Sequence, residues 1–411
     1  MVSASIPKDL KTSNRKNVLK AFHNSGALSI ADVSEKTNLS RQTVKKCIEY
    51  YIENGVIEEY GKGQSTSIGG KRPILYQLSS NLLLVSINLH HHDIVISLSD
   101  LHYNIISKWS SEYVNLKSMD HMFEIIKKGA IYILKACGDS KIIELCFSVP
   151  LGYSYDGKLT TATPFPLWPN SDYGRSIVEP LKQIFSDVQY FELLSDGYAA
   201  GSAVLYNNYA LFAQDTTMTL YTSEGIGGAL FRKGEPQNRN KNVVGAFGHI
   251  IVDVQDEELC SCGDRGCLES FCNIKRLQNL IKTKKNEYSE SILSKIDINN
   301  INFFDVFDGS SKGDSFCRFV SKYYARMFAI AIRNAMVIAG PTHVVFQGVF
   351  GKADDVFKAE VINYINKFRY VECYGVLEIH YDTRELIAEE IIGSCYHMIK
   401  RFISNPERYL I

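Results

Sequence analysis

Gly248-His249-Ile250 and, ten residues further on, Cys260-Ser261-Cys262-Gly263-Asp264-Arg265-Gly266-Cys267-Leu268-Glu269 form the stretch that decides how this chain is read. One imidazole and three thiols can give a zinc ion four soft-to-borderline ligands in a tetrahedron. Gly263 and Gly266 let the backbone fold tightly around the ion, and His249 is expected to reach it from an adjacent strand. The predicted ligands are therefore His249, Cys260, Cys262 and Cys267. Four protein ligands leave no open position, so the zinc is expected to be structural and not catalytic. Cys272 reads as packing in the following helix. The competing reading, free thiols buried by chance, leaves the spacing and the two glycines unexplained.

The remaining cysteines support this contrast. Cys47, Cys137, Cys146, Cys317, Cys373 and Cys395 are scattered through apolar stretches, as buried free thiols are. The start, Met1-Val2-Ser3-Ala4-Ser5-Ile6-Pro7, has no apolar signal-peptide core. No run approaches the ~18 apolar residues of a membrane span. A cytoplasmic protein without a membrane partner is the expectation, and there a cysteine cluster reads as a metal site before a disulfide framework. With 411 residues, 45% apolar and 22% charged, the chain is long enough for two or three globular domains.

Charge separates one of them. Residues 1–80 carry 12 Lys and Arg against 7 Asp and Glu, a net of +5 that the rest of this neutral chain balances. A basic head on an acidic body points to a polyanion partner for the head. Arg15 to Ser25 has helical apolar spacing through Val18, Leu19 and Phe22. Ser29 can cap a second helix, with Asp32 in its first turn. Thr37-Asn38-Leu39 makes a turn, and Ser40 can cap a third helix ending before Gly55. In that helix Val44, Ile48, Tyr51 and Ile52 are expected to face inward. Arg41, Gln42, Thr43, Lys45 and Lys46 lie on the outer side of its first two turns. Two alternating segments follow, Val56–Tyr60 and Ile74–Leu78, around a Gly- and Lys-rich wing ending in Gly69-Gly70-Lys71-Arg72-Pro73. This is the layout of a winged helix-turn-helix reader of double-stranded DNA. Arg41 and Gln42 suit base edges, Lys45 and Lys46 suit phosphates, and Lys71 and Arg72 suit a minor groove. A three-helix protein-interaction module with a solvated charged face is the alternative. Capping, turn, basic helix and basic wing together favour DNA.

Beyond residue 81 the pattern becomes α/β. Leu82–Leu89, Asp93–Leu101 and Asn104–Val114 read as antiparallel strands, followed by a helix near Met119–Ala136 and a strand at Ile142–Val149. A comparable series recurs after Thr216. Such duplication predicts two lobes around a cleft.

The cysteine segment resembles the signature of the ROK family (repressors, open reading frames and kinases). With its N-terminal reader, the whole chain resembles the family's NagC/Mlc/XylR-type repressors. The resemblance implies a two-lobed actin/hexokinase-like fold, a duplicated ribonuclease-H-like domain with a sugar site between the lobes. It divides the chain into a reader (1–80), a first lobe (81–195, with a C-terminal helix at about 384–411 packing back onto it) and a second lobe carrying zinc (196–383).

Family kinases use an Asp after an Asn at a strand end; Ser195-Asp196 stands there, with the Asp kept. Their first phosphate loop is Asp-x-Gly-x-Thr, whereas Asn88-Leu89-His90-His91-His92 has neither the glycine nor the Asp. These histidines read as a plain hairpin turn in preference to a metal tract. The second loop, Ser223-Glu224-Gly225-Ile226-Gly227, sets a carboxylate against a phosphate. Phe350 stands where the nucleotide side favours small residues. On the sugar side the resemblance implies Gly152, Ser195, Asp196, His249 and Glu269 as ligand contacts, while Ala246 has lost a carboxylate and Pro164 stands for an Asn. The expectation is a non-catalytic sensor of a sugar or sugar derivative, with no catalytic residues, in a homodimer or homotetramer on an operator. Two alternatives stay open: an active ATP-dependent sugar kinase with an accessory reader, and a repressor controlled by a protein partner.

Overall fold

The computed structural model describes residues 7–23, 25–64, 72–90, 92–113, 116, 118–150, 174–239, 242–243, 245–370, 373 and 375–410. The expectations for Lys71, Gly152, Pro164, His91 and the wing tip at 69–70 lie outside these residues.

The head opens with helix α1 (Pro7–Phe22), which starts eight residues before the expected Arg15, Pro7 supplying the fixed φ suited to a first helical position. Strand β1 (Leu28–Ser29) leads into α2 (Ile30–Thr37). There Ser29 and Asp32 form a reciprocal capping box. Asn38 ends α2 with a left-handed φ of 54°, a conformation Asn tolerates better than most residues. Ser40 then caps α3 (Arg41–Glu53) by accepting from the Thr43 amide at 3.2 Å. Val44, Cys47, Ile48 and Tyr51 of α3 are buried. Ile52, expected inward, is exposed, because at helical pitch Cys47 shares the inner stripe with Val44 and Tyr51. Strands β2 (Ile57–Lys62) and β3 (Ile74–Leu78) pair antiparallel, and β3 also pairs β1. A three-helix unit and a three-stranded wing result.

Two sheets with the same plan follow. The first contains β4 (Leu82–Leu89), β5 (Asp93–Asp100), β6 (Ile105–Glu112), β7 (Lys141–Val149) and β8 (Phe191–Ser195), in the order β6-β5-β4-β7-β8. β4, β5 and β6 form an antiparallel meander, whereas β7 and β8 add parallel to β4. The second sheet holds β9 (Thr216–Thr222), β10 (Ile226–Arg232), β11 (Glu235–Pro236), β12 (His343–Gly348) and β13 (Glu378–Tyr381), ordered β11-β10-β9-β12-β13. Its first three strands are again antiparallel and its last two parallel. This is the expected duplicated two-lobed fold.

Central strand β4 is buried along its whole length, and period-two alternation splits it between two cores. Leu83, Val85, Ile87 and Leu89 pack with α4 (Met119–Leu134). Leu82 and Leu84 face a second cluster built on the long C-terminal helix. Between the sheets, α5 (Asp196–Asn207) crosses from one lobe to the other, and α6 (Leu268–Phe271), α7 (Ile274–Lys284), α8 (Phe303–Ser311), α9 (Ser315–Ala339) and α10 (Asp355–Asn366) clothe the second lobe. The chain closes with α11 (Leu386–Ser404), which packs along α5 and back onto β4 and β7. Buried side chains of the reader (Val18, Leu19, Phe22, Tyr51) belong to the same cluster as Leu101, Tyr396 and Phe402. The scattered cysteines are mostly buried as expected, but Cys373 is exposed and Cys137 half-buried. No helix among the described residues is long and apolar enough to cross a membrane.

Candidate functional site

On α3 the side chains of Arg41, Gln42, Lys45 and Lys46 are exposed, and Thr43 is half-buried beside its cap. The Thr43 hydroxyl is 2.9 Å from that of Ser40, which ties it to the helix start. Lys45 sits 3.6 Å from Glu49 in a solvated i,i+4 pair, weak enough to be displaced by a phosphate. Arg72, at the described edge of the wing, is exposed. α3 thus presents a polar, basic first half on a rigid three-helix frame, which is what entry into a major groove requires.

The four sulfur and nitrogen ligands come together as the sequence suggests. One ring nitrogen of His249 and the Sγ atoms of Cys260, Cys262 and Cys267 all lie within 4.8 Å of one another. His249 Nδ1 is 3.6 Å from Cys260 Sγ, and Cys262 Sγ is 3.7 Å from Cys267 Sγ. Bonds of about 2.3 Å to sulfur and 2.0 Å to nitrogen give tetrahedral edges of roughly 3.5–3.8 Å, so the donor set fits such an ion. His249 reaches the cluster from a turn of 3-10 helix at Phe247–His249 and not from a strand. This turn packs tightly on β10: a Cβ on Gly248 would lie 2.3 Å from the Ile226 carbonyl oxygen. Gly263 and Gly266 both adopt positive φ, 89° and 74°, and at Gly266 a Cβ would collide with the Asp253 carbonyl at 1.9 Å. Burial pushes the Cys260 thiol up, and burial together with the adjoining thiols pushes Cys267 up. A divalent cation reverses that balance by favouring thiolates.

Between the lobes, Asp196 opens α5 directly after β8 and accepts from the Gly197 amide at 2.6 Å. Gly197 is required there, since a Cβ would lie 2.5 Å from the Gly228 nitrogen of the second lobe. This contact brings Asp196 into the electrostatic range of Glu269. Glu269 accepts from the Ile226 amide through Oε2 and from the Ser261 hydroxyl through Oε1, both at 2.9 Å, and so links the cysteine loop to β10. Ser195 is spent on capping α5, its hydroxyl accepting from the Tyr198 amide at 3.2 Å. Asp196 and Glu269 thus lie within electrostatic range of each other, His249 belongs to the cysteine cluster that Glu269 ties to β10, and Ser195 serves the start of α5.

The structure adds residues that sequence reasoning missed. Glu390 of α11 has its carboxylate fully buried. It is met by His90 Nε2 at 3.0 Å, the Asn88 amide at 3.3 Å and the Tyr221 hydroxyl at 2.9 Å. Asn88 and His90 belong to the first lobe and Tyr221 to the second, so Glu390 ties the two lobes together. His90 Nδ1 also bonds Asp93 at 2.6 Å. Burial alone would lower the His90 pKa, but Glu390 and Asp93 outweigh it and push it up to about 10. Burial and the nearby Glu390 hold the Asp196 carboxyl well above the ordinary carboxylate range. One signal in the sequence did mark Glu390: Ile387-Ala388-Glu389-Glu390-Ile391-Ile392 sets two carboxylates into an otherwise apolar helix. A histidine whose folded pKa exceeds its ordinary 6.5 stabilises the fold fully below pH 6.5, and this is lost as pH rises through about 10. Urea midpoints of the full chain should accordingly fall between pH 7 and 10, and His90→Gln should flatten that slope. An equal slope in both proteins would refute the role of His90.

Comparison with known proteins follows the same division. A winged helix-turn-helix DNA-binding model matches residues 12–58, and a ROK family model matches residues 200–382. The chain is 25% identical over 417 residues to the xylose repressor of Caldicellulosiruptor bescii, covering 97% of this chain and 98% of that protein. The transcriptional dual regulator NagC of Escherichia coli is 25% identical over 362 residues, 87% of this chain and 85% of its own. Among solved structures, a ROK family transcriptional regulator homologous to the E. coli Mlc protein superposes with a TM-score of 0.75 at 17% identity, over 95% of this chain and 98% of that one.

Proposed function

Because the chain carries a ROK family domain over residues 200–382 behind a winged helix-turn-helix over 12–58, we propose that it is a DNA-binding repressor whose cleft senses a sugar or sugar derivative. The observation that carries this reading is one helix. α11 holds Glu390 at the cleft, Tyr396 against His23 of the reader with ring centroids 5.7 Å apart, and Phe402 in the shared core. At about 1.5 Å per residue, some 9 Å of a single rigid element separates Glu390 from Tyr396, where the reader is seated. Arg15 of α1 also meets Glu407, just past the helix end, at 3.3 Å.

A hydroxyl-rich ligand suits Asp196, since a donor placed between Asp196 and Glu390 relieves their repulsion. Glu269 and His249 bring the cysteine centre, which we take to hold structural zinc, into contact with the same ligand. Closure of the zinc-braced lobe would shift two reading heads of a homodimer relative to a palindromic site, and about 1–3 kcal/mol of coupling gives a 5–150-fold change in affinity. On this reading the units are 1–80, 81–195 with 384–411, and 196–383.

The domain is taken to be non-catalytic. His92 Nε2 lies 2.8 Å from Glu224 Oε1, so a side-chain pair joins the two turns where a nucleotide's phosphates would have to enter. Glu224 and the buried Glu390 set negative charge there. Phe350 is buried among Phe303, Phe307, Phe328 and Phe357 and fills the loop after β12.

The test uses full-length protein, duplex DNA selected from a random pool, and a panel of free sugars beginning with xylose. One sugar should change DNA affinity, and Asp196→Asn should abolish that response while leaving DNA binding intact. Arg41→Ala should cost about 1–3 kcal/mol on the selected sequence alone, whereas Lys45→Ala should weaken all sequences and flatten the salt dependence. Failure to retain any duplex at low salt would refute the repressor reading. ATP-dependent phosphorylation of any sugar in the panel would refute the non-catalytic one.

A further inference from the structure

At the end of the second sheet remote from the cleft lies a side-chain cluster that neither the reader nor the sensor uses. β12 and β13 run parallel there, with His343 opposite Glu378 and Val345 opposite His380. Alternation along β13 puts Glu378 and His380 on one face, beside His343 of its neighbour. His343 Nδ1 is 3.3 Å from His380 Nε2, and the same Glu378 oxygen is 3.6 Å from each nitrogen. A hydrogen bond between the rings accounts for the first distance only. A carboxylate oxygen equidistant from two imidazole nitrogens, beyond hydrogen-bond length from both, has the spacing of three donors able to share one cation.

The triangle has the right size. Ligand bonds of about 2.1 Å opened at roughly 105–120° span edges of these lengths. His343 is buried, His380 half-buried and Glu378 exposed, so the cluster is walled on one side and open on the other. The Phe212 ring stands edge-on to both imidazoles, with centroids 5.4 and 5.2 Å away, and fixes their planes. Among the described residues only this group and the cysteine cluster set three or more such donors so close together.

We propose that His343, Glu378 and His380 bind a second divalent transition-metal ion of the zinc class, with a coordination position open to water. Two imidazoles and one carboxylate suit zinc, cobalt, nickel or copper and not calcium or magnesium. Three protein ligands hold an ion less firmly than four and leave it exchangeable, in contrast to the closed cysteine centre. Its structural effect is to clamp β13, a four-residue edge strand that feeds through Asp382–Glu385 into α11.

The test counts ions on full-length protein. Purified chains are brought to equilibrium by dialysis against a fixed free concentration of zinc or cobalt and measured for bound metal. With cobalt, the near-ultraviolet thiolate band reports the cysteine centre separately. His380→Gln is expected to lose one ion per chain while the thiolate band stays unchanged, and added zinc should raise its thermal midpoint less than that of the unaltered chain. Outer-shell partners alone are worth about 10–100-fold in affinity, so Glu378→Gln, at an exposed ligand, should weaken the second ion by about tenfold or more. The proposal is overturned if His380→Gln binds as much metal as the unaltered chain, or if the ion it loses is the one that carries the thiolate band.

Discussion

Cys260→Ser is expected to release the metal and to loosen the second lobe around the cleft, the largest effect of any single substitution considered. Residues 250–267 contain no helix or extended strand, only isolated bridges between Ile251 and Cys267 and between Leu259 and Arg265. Arg276 pairs with Asp256 and Glu258 on one side of this loop, so the ion we propose would add order chiefly to the cysteine turn itself. Structural zinc sites of this type contribute on the order of 10 kcal/mol to folding of small peptides. Here a larger body remains folded, and the expected loss is local. It should show as zinc absent from the purified variant, faster amide exchange across residues 245–272, and a lower melting temperature. The Ser261–Glu269 bond sits beside the mutated position, so effector affinity should fall as well. A variant that retains zinc and wild-type exchange would rule out Cys260 as a ligand.

Glu390→Gln is expected to cost about 3–5 kcal/mol, the range for breaking a buried pair by neutralising one partner. The amide keeps the size of the side chain, so packing is preserved and the loss isolates charge. Asp93 still faces His90, which places the result toward the lower end. Loss of the knot should also uncouple the lobes. DNA affinity without effector should change little, whereas the response to an effector should shrink. Equilibrium unfolding in urea and an effector titration check both parts. A stability change below about 1 kcal/mol would show that His90 and Tyr221 need no charged partner.

Much of this molecule was legible in its residues. Ser29, Asp32 and Ser40 announced their helices because capping is a local interaction, complete within four positions. The His249–Cys260–Cys262–Cys267 cluster was legible because Gly263 and Gly266 confine its three thiols to one loop. The twofold sheet plan followed from strand alternation. What stayed hidden is what depends on distant chain segments. Asn88 and Glu390 are separated by 302 positions, and nothing local in either announces the other. His90 read as a hairpin residue because its partner lies on a helix three hundred positions away. The extra turns of α1 were missed because residues before Arg15 show no apolar stripe; Leu10 remains largely exposed.

The shared core of head and body carries a consequence for how such proteins diversify. His23 Nε2 is 2.9 Å from the Tyr103 hydroxyl, and Val18, Leu19 and Phe22 lie in one cluster with Tyr396 and Phe402. The reader is therefore seated on its partner and not strung from it. Chimeras that exchange heads between regulators at a linker near residue 80 would inherit two unmatched apolar faces, and would need compensating changes on the C-terminal helix before either half behaved normally. New operator specificities should thus arise in this lineage by substitution on the exposed side of α3 and not by wholesale acquisition of a foreign head.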